Sequence, residues 1–361
     1  MLGAVVLAFL VRRYQKMSGD EPELKRRRSE QIGGKAEDWT EVFTHVKPRL
    51  EANESLEELV VQTFKKGGFK IGNLDALPSM VSKISAGYNS TPYHNFGHAT
   101  HVFMNSFVLL EGSRVKFTPV ERAAMLFSAI IHDIGHEGVP NMQLVKEDHP
   151  LAAKYNNLSV AENFSIDEGL SIIEKEEYNI FGEFTVGEMV RFKDLVKTIV
   201  LATDIGNQGR VKKIYSDIDK AISVFSRDQK ESDGDGESDV RLDSSDEGNR
   251  INLLCLMMKL ADVGSTFQHI NTSKHWIHNF YSENVTANKK GRGPKVDAQG
   301  FLDGQEKFFN SYIEHLHGVI ASTGMLSSAF TAALKENFQH LVGVWGEESS
   351  IMLSAWKNEA A

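Results

Sequence analysis

His132 and Asp133 stand side by side at the head of the run His132-Asp133-Ile134-Gly135-His136-Glu137-Gly138-Val139-Pro140-Asn141. An adjacent imidazole and carboxylate at the end of an apolar stretch pack a core badly. They make a good seat for a divalent metal. Upstream lies Tyr93-His94-Asn95-Phe96-Gly97-His98, with His101 three residues further on. His94 and His98 are four apart, so on a helix they would share one face. Downstream, Ala261-Asp262 ends another apolar stretch, where a carboxylate is costly unless paired or metal-bound. The candidate ligands are therefore His98, His132, Asp133 and Asp262. Two imidazoles and two carboxylates suit zinc or another first-row ion with positions left open for water. A carboxylate such as Asp133 can bridge to a second, mostly water-coordinated ion, which is the habit of magnesium. Two such ions clamp a phosphoryl oxygen and hold a hydroxide between them, so the implied chemistry is hydrolysis of a phosphate ester.

The elements that must position these groups read as helices almost throughout from Trp39 onward, and strand-like alternation is scarce. Thr118-Pro119-Val120-Glu121 has a cap residue, a proline at the first helical position and a glutamate at the third. The segment that follows, Arg122 to Ile131, is apolar on most faces and should be a buried helix that delivers His132 and Asp133 at its end. Ser165-Ile166-Asp167-Glu168 and Thr185-Val186-Gly187-Glu188 have the same capping pattern. The second opens a long helix running through Val200 and reaching Thr203-Asp204. The expected fold class is all-α: one compact multi-helix domain of roughly fifteen short helices, with its site in a deep pocket between them.

Residues 39–361 are read as that domain and residues 1–38 as a short apolar segment plus a charged linker. Met1 to Val11 is apolar and Arg12-Arg13 follows. That run is about half of the roughly 20 residues a spanning helix needs. It fits either the end of a transmembrane helix with a cytoplasmic basic flank or an amphipathic tail. Lys25-Arg26-Arg27-Arg28 fits either an anionic membrane face or a solvated charge run. The net charge is −9, and residues 228–250, with nine acids against three bases, carry −6 of it. Those residues are nearly devoid of apolar side chains and are expected to be a disordered acidic loop. Asp233-Gly234-Asp235-Gly236-Glu237 is a poor calcium loop, because Ser238 stands where the sharp turn needs glycine. No basic stripe is present, which argues against nucleic-acid binding. The single cysteine, Cys255, lies in an apolar run and excludes an internal disulfide, as suits a reducing compartment.

Taken together, these segments resemble class I 3',5'-cyclic nucleotide phosphodiesterases, a family within the HD metal-hydrolase superfamily. Tyr93-His94-Asn95 with His98 resembles its first metal motif, and His132-Asp133-x-x-His136 with Asn141 its signature. Ser159-Val160-Ala161-Glu162-Asn163, Leu201-Ala202-Thr203-Asp204 and Ala261-Asp262 resemble the later motifs, and Gln305 with Phe308 the purine-binding pair. The resemblance runs in order from about Leu56 to about Trp345. It implies a first metal, zinc, on His98, His132, Asp133 and Asp262. It implies a second ion, magnesium or manganese, bridged by Asp133, with waters held by His136, Glu162 and Thr203. It makes His94 the general acid toward the departing O3′ and puts Tyr93, Gln305 and Phe308 on the substrate. The expected partner is a cyclic nucleotide, cAMP or cGMP, with a homodimer and a membrane-anchored cytoplasmic domain as further expectations.

Three positions depart from the family. His101 stands where it usually has Asp, Ser265 where many cAMP-hydrolysing members carry Asn, and the acidic insertion is long. Competing readings are another HD-type hydrolase acting on nucleoside monophosphates or dNTPs, and a catalytically dead nucleotide sensor. The Gln305–Phe308 pair argues against the first. The complete set of ligands and the retained His94 argue against the second.

Overall fold

The computed structural model describes residues 55–231 and 240–359. Residues 1–38, and with them the expected anchor and linker, lie outside the described residues. The described chain is all-α, as expected, and its only β feature is an isolated bridge between Ser113 and Leu326. No helix among the described residues is long and apolar enough to cross a membrane.

In chain order the helices are α1 (Leu56–Phe64), α2 (Ala76–Ser85), α3 (Phe96–Gly112), α4 (Pro119–Ile131), α5 (Asn141–Lys146), α6 (Pro150–Lys154) and α7 (Val160–Ile173). There follow α8 (Val186–Leu201), α9 (Gln208–Glu231), α10 (Glu247–Asp262), α11 (Ile270–Lys289), α12 (Ala298–Phe308), α13 (Glu314–Thr323) and α14 (Ser328–Glu359). A π-helical turn, Phe309–Ile313, joins α12 to α13.

Helix α4 is the central rod. Its capping box forms as its sequence predicts: Thr118 Oγ1 accepts from Glu121 N at 3.2 Å, and Glu121 Oε2 accepts from Thr118 N at 2.8 Å. From Ala123 to Ile131 every residue is buried, because α3 and α8 pack along it and α10 packs on α3. A rod enclosed on this many sides must be apolar all round, which is what the sequence of α4 shows. Phe127 of α4, Phe192 of α8 and Phe181 from the segment before α8 form the aromatic heart of the α4–α8 contact, with ring centroids 4.4–5.6 Å apart.

Three local expectations are corrected. Ser165 does not cap a helix: α7 starts at Val160, and the Ser165 hydroxyl donates to Ile134 O at 3.0 Å from mid-helix. The capping pattern was met by chance inside a helix that Asn141 starts from outside, accepting from Ala161 N at 2.9 Å. The acidic segment 228–250 is not all loop. Helix α9 extends to Glu231, and α10 begins at Glu247 with Asp246 as its cap, accepting from Asn249 N at 2.8 Å. Between them Leu242 is buried and Arg241 N donates to Thr323 O, and within α10 Arg250 pairs with buried Glu121 at 2.9 Å. Finally, His94 and His98 do not share a helical face. Helix α3 begins at Phe96, because the Asn95 side chain caps it by accepting from Gly97 N and His98 N.

Candidate active site

Helix α4 stops at Ile131 and the chain turns sharply through residues 132–138. Gly135 and Gly138 sit at φ of +72° and +71°, where a side chain is strained. A Cβ on Gly135 would also meet Phe164 at 2.3 Å, and one on Gly138 would meet Glu283 at 3.1 Å. The two glycines let Asp133 and His136 face one cavity of about 1000 Å³, while His132 is buried against Asp133. That cavity is also lined by Tyr93, His94, Glu162, Thr203, Asp262, Gln305 and Phe308. The structure thus gathers segments up to 215 residues apart in sequence around one pocket, of a size that suits a nucleotide.

At its floor the four expected ligands come together. His98 Nε2 lies 3.1 Å from Asp262 Oδ1 and 3.7 Å from Asp133 Oδ2. His132 Nε2 lies 3.0 Å from Asp133 Oδ2 and 3.5 Å from Asp262 Oδ1. His132 Nδ1 donates to Ala129 O at 2.9 Å, which leaves Nε2 as the nitrogen that faces the carboxylates. That Nε2 is buried without a hydrogen-bond partner and faces two carboxylates. Burial lowers the His132 pKa, but Asp133 and Asp262 outweigh it and raise it well above its ordinary value, so positive charge, as a proton or a metal, is favoured at this nitrogen. A tetrahedral ion bound at about 2.1 Å has ligand–ligand edges of roughly 3.4 Å, and the observed separations straddle that value. The donor set and its spacing fit one divalent metal.

A second grouping, His94, Asp133 and His136, differs in kind. Gly138 N donates to His136 Nδ1 at 3.1 Å, so the other nitrogen of His136 carries its hydrogen. Burial and the neighbouring His94 lower the His136 pKa to about 4, so the ring stays neutral. Neither histidine here offers a lone pair to a metal, and His136 offers an N–H to an oxygen. Glu162 is held by Asn141 Nδ2 at 2.9 Å, and burial together with Asp204 raises its pKa to about 7. Thr203 Oγ1 donates to Val200 O at 2.8 Å and keeps lone pairs to accept with. Ser159, strained at φ +43°, donates to Asp204 Oδ2 at 2.6 Å and ties the α7 start to the end of α8.

Sequence reasoning missed Glu283. It is a buried carboxylate on α11, and its Oε1 lies 2.5 Å from His94 Nδ1 while Oε2 accepts from the backbone N of Tyr93 and of His94 at 3.0 Å each. Burial alone would lower the His94 pKa, but the charges of Glu283, Asp133 and Asp262 outweigh it and raise it to about 9. His94 is therefore a cation at neutral pH with its Nε2 free of Glu283. Its ring stacks on the neutral His136 ring at 3.7 Å. The one signal in the sequence for Glu283 is an acid on a helix face that also carries Trp276 and Phe280, and nothing in its spacing links it to a motif 189 residues away. Gln305 and Phe308 lie one turn apart near the end of α12, both half-buried, and the Phe308 ring stacks on Tyr312 at 5.2 Å.

A family model described as 3'5'-cyclic nucleotide phosphodiesterase matches residues 93–341. The chain is 28% identical over 238 residues to the cGMP-specific 3',5'-cGMP phosphodiesterase 3 of Dictyostelium discoideum, covering 64% of this chain and 47% of that protein. It is 36% identical over 152 residues to the 3',5'-cyclic-AMP phosphodiesterase 4 of the same organism, covering 40% and 14%. It is 29% identical over 286 residues to the cGMP-specific 3',5'-cyclic phosphodiesterase gamma of Plasmodium yoelii, covering 76% and 34%. The chain thus spans less than half the length of these curated relatives. Its fold is shared with the phosphodiesterase domain of the RhoPDE fusion protein from Salpingoeca rosetta, with a TM-score of 0.68 at 20% identity, covering 84% of this chain and 92% of that one. With more than half of its length matched by the family model, and the matched part containing the whole pocket, the chain belongs to the 3'5'-cyclic nucleotide phosphodiesterase family.

Proposed function

We propose that this chain hydrolyses 3',5'-cyclic nucleotides to nucleoside 5'-monophosphates in cyclic-nucleotide signalling. The observation that supports the reading is a single cavity that is lined by Gln305 and Phe308 and by Asp133 and Asp262, the two carboxylates against which buried His98 and His132 pack. In this reading His98, His132, Asp133 and Asp262 would hold zinc. Asp133, with His136, Glu162 and Thr203 acting through water, would hold a magnesium or manganese ion. Bound there, the two ions would supply an activated water and neutralise charge on the phosphoryl oxygens.

The chain's own groups do the rest. His94, cationic through Glu283, gives its Nε2 proton to the departing O3′, which is otherwise a poor leaving group. The Tyr93 ring packs edge-on against His94 at 4.8 Å and helps hold it in place. Phe308 stacks on the base, which an aromatic face does for any purine. The Gln305 amide can present either its N–H or its C=O to the purine edge, so it reads adenine and guanine alike. The named activities of the relatives divide between cAMP and cGMP in the same way. The proposal extends to a homodimer, and to a cytoplasmic domain attached at a membrane face through residues 1–38, whose basic run supports that attachment.

The test is hydrolysis of cAMP and cGMP side by side by the purified chain with magnesium, manganese and zinc. The expected result is release of the 5'-monophosphate from at least one, abolished by chelation and restored by divalent metal. A metal-loaded chain that cleaves dNTPs and leaves both cyclic nucleotides intact would sink the reading.

A further inference from the structure

Behind the metal-ligand cluster runs a chain of three uncharged side chains. His101 and Asn105 come from successive turns of α3, and Gln268 follows the 3₁₀ turn Gly264–Phe267. All three are buried. Asn105 Nδ2 donates to Ala261 O at 3.0 Å, Gln268 Nε2 donates to Asn105 Oδ1 at 2.9 Å, and His101 Nε2 lies 3.0 Å from Gln268 Oε1. Ala261 is the residue before Asp262, in the last turn of α10.

The direction of this chain follows from its last member. A backbone carbonyl can only accept. Asn105 must therefore turn its amide nitrogen to Ala261 and its oxygen to Gln268. Gln268 must then turn its nitrogen to Asn105 and its oxygen to His101. His101 must in turn present an N–H at Nε2. Reversing any one member sets two acceptors or two donors face to face in a buried site, which costs more than a lost hydrogen bond.

We propose that His101, Gln268 and Asn105 form a positioning relay that fixes the last turn of α10 and so the seat of Asp262. The proposal rests on the reading of Asp262 as a metal ligand. It also gives a role to His101, which stands where the family usually has Asp. An aspartate there has only acceptors to offer. Facing Gln268 Oε1, it would turn that amide, then Asn105, and leave Asn105 Oδ1 against Ala261 O. The His101 ring does a second job, stacking on Trp276 at 5.5 Å, and Trp276 in turn walls the cavity beside His98.

The experiment is titration of the metal-free chain with manganese and with zinc, alongside melting curves. H101D should weaken metal binding about 10- to 100-fold, the usual cost of losing a group that orients a ligand. H101Q keeps an N–H donor and should bind as wild type does. H101D/Q268K should recover affinity, because an ammonium donates both to the carboxylate and to Asn105 Oδ1. Should H101D not fold, Q268E serves in its place: it still accepts from His101 but has no donor for Asn105, and should show the same loss. Wild-type affinity in folded H101D or Q268E overturns the relay, as does an equal loss in H101D and H101Q, which would mark the ring's volume as what counts. The titration uses metal alone. A chain that binds metal as described but spares cyclic nucleotides would sink the proposed activity and leave the relay standing.

Discussion

The proton on His94 is held there by carboxylates, above all Glu283. Burial disfavours the imidazolium, and the surrounding negative charges reverse that and bring the pKa from 6.5 to about 9. Burial likewise pushes Glu283 up, and the His94 charge outweighs it and brings the carboxyl from 4.5 down to about 2. The sign of the linkage follows. The His94 contribution to stability is complete below pH 6.5 and is lost as pH rises through about 9. The Glu283 contribution is complete above pH 4.5 and is lost as pH falls through about 2. The pair is thus worth most between pH 4.5 and 6.5. For E283Q the alkaline limb of the kcat profile should move to lower pH, because His94 then releases its proton earlier, with metal content unchanged. An unmoved limb would show that Glu283 does not govern the acid. At the other end of the pocket, F308A should raise KM more than it lowers kcat, since stacking is made in ground and transition states alike. Stacking worth about 1–3 kcal/mol predicts a rise of roughly 5- to 150-fold for both nucleotides. A lowered Tm with an unchanged KM would make Phe308 a core residue like Phe309, which is 1% exposed. The candidate metal ligands and His94 could be picked out in the sequence because each sits in a short motif whose residue types have few structural uses. Glu283, Asn105 and Gln268 were not, because an isolated amide or acid on a helix carries no local mark of the partner it meets across the fold.

At the scale of elements, legibility followed the local physics. Thr118-Pro119-Val120-Glu121 and Thr185-Val186-Gly187-Glu188 precede their helices, and both capping boxes form. Ser165-Ile166-Asp167-Glu168 has the same letters inside a helix, where the start was set five residues earlier by Asn141 reaching across from another segment. The acidic stretch shows the converse failure. Its composition hides one buried leucine, one cap and one arginine that meets a partner 129 residues away. This divides the segment into two parts with different expected responses. Replacing residues 232–239, which hold no apolar side chain, by a short Gly-Ser linker should leave Tm and activity close to wild type. Extending the deletion to Asn249 removes the burial of Leu242, worth about 1.5–3 kcal/mol, and the Asp246 cap, worth about 1 kcal/mol. It also removes the carbonyls of Ser244 and Ser245 that the Arg250 guanidinium binds. Thermal melts should show a loss of several degrees for the longer deletion alone. Equal melting of the two variants would mean that the Leu242 and Asp246 contacts contribute nothing.

For the whole molecule, an all-α class was readable from helical periodicity, whereas which helix packs on which was not, because a single sequence records no pairing between distant apolar faces. The packing has an energetic consequence at the site. His98 comes from the first turn of α3, His132 and Asp133 from the end of α4, and Asp262 from the end of α10. Without a metal the cluster presses two carboxylates into one buried space, with the proton on His132 offsetting only part of their charge. A metal there ties three core helices together at their ends and relieves that repulsion, so it should stabilise the native chain and not the unfolded one. By mass action, free metal at 100 times its dissociation constant adds about 2.7 kcal/mol. Removing metal with a chelator should therefore lower the Tm by several degrees, and restoring zinc or manganese should recover it. D262A should have lost hydrolysis and should melt at the same temperature with metal and with chelator. It should also resist chelation-induced loss for a simple reason: removing one carboxylate relieves part of the repulsion that the ion otherwise neutralises. A D262A chain that keeps full metal occupancy and a metal-dependent Tm would show that the ion sits elsewhere, and the ligand assignment on which the proposed hydrolysis depends would fall with it.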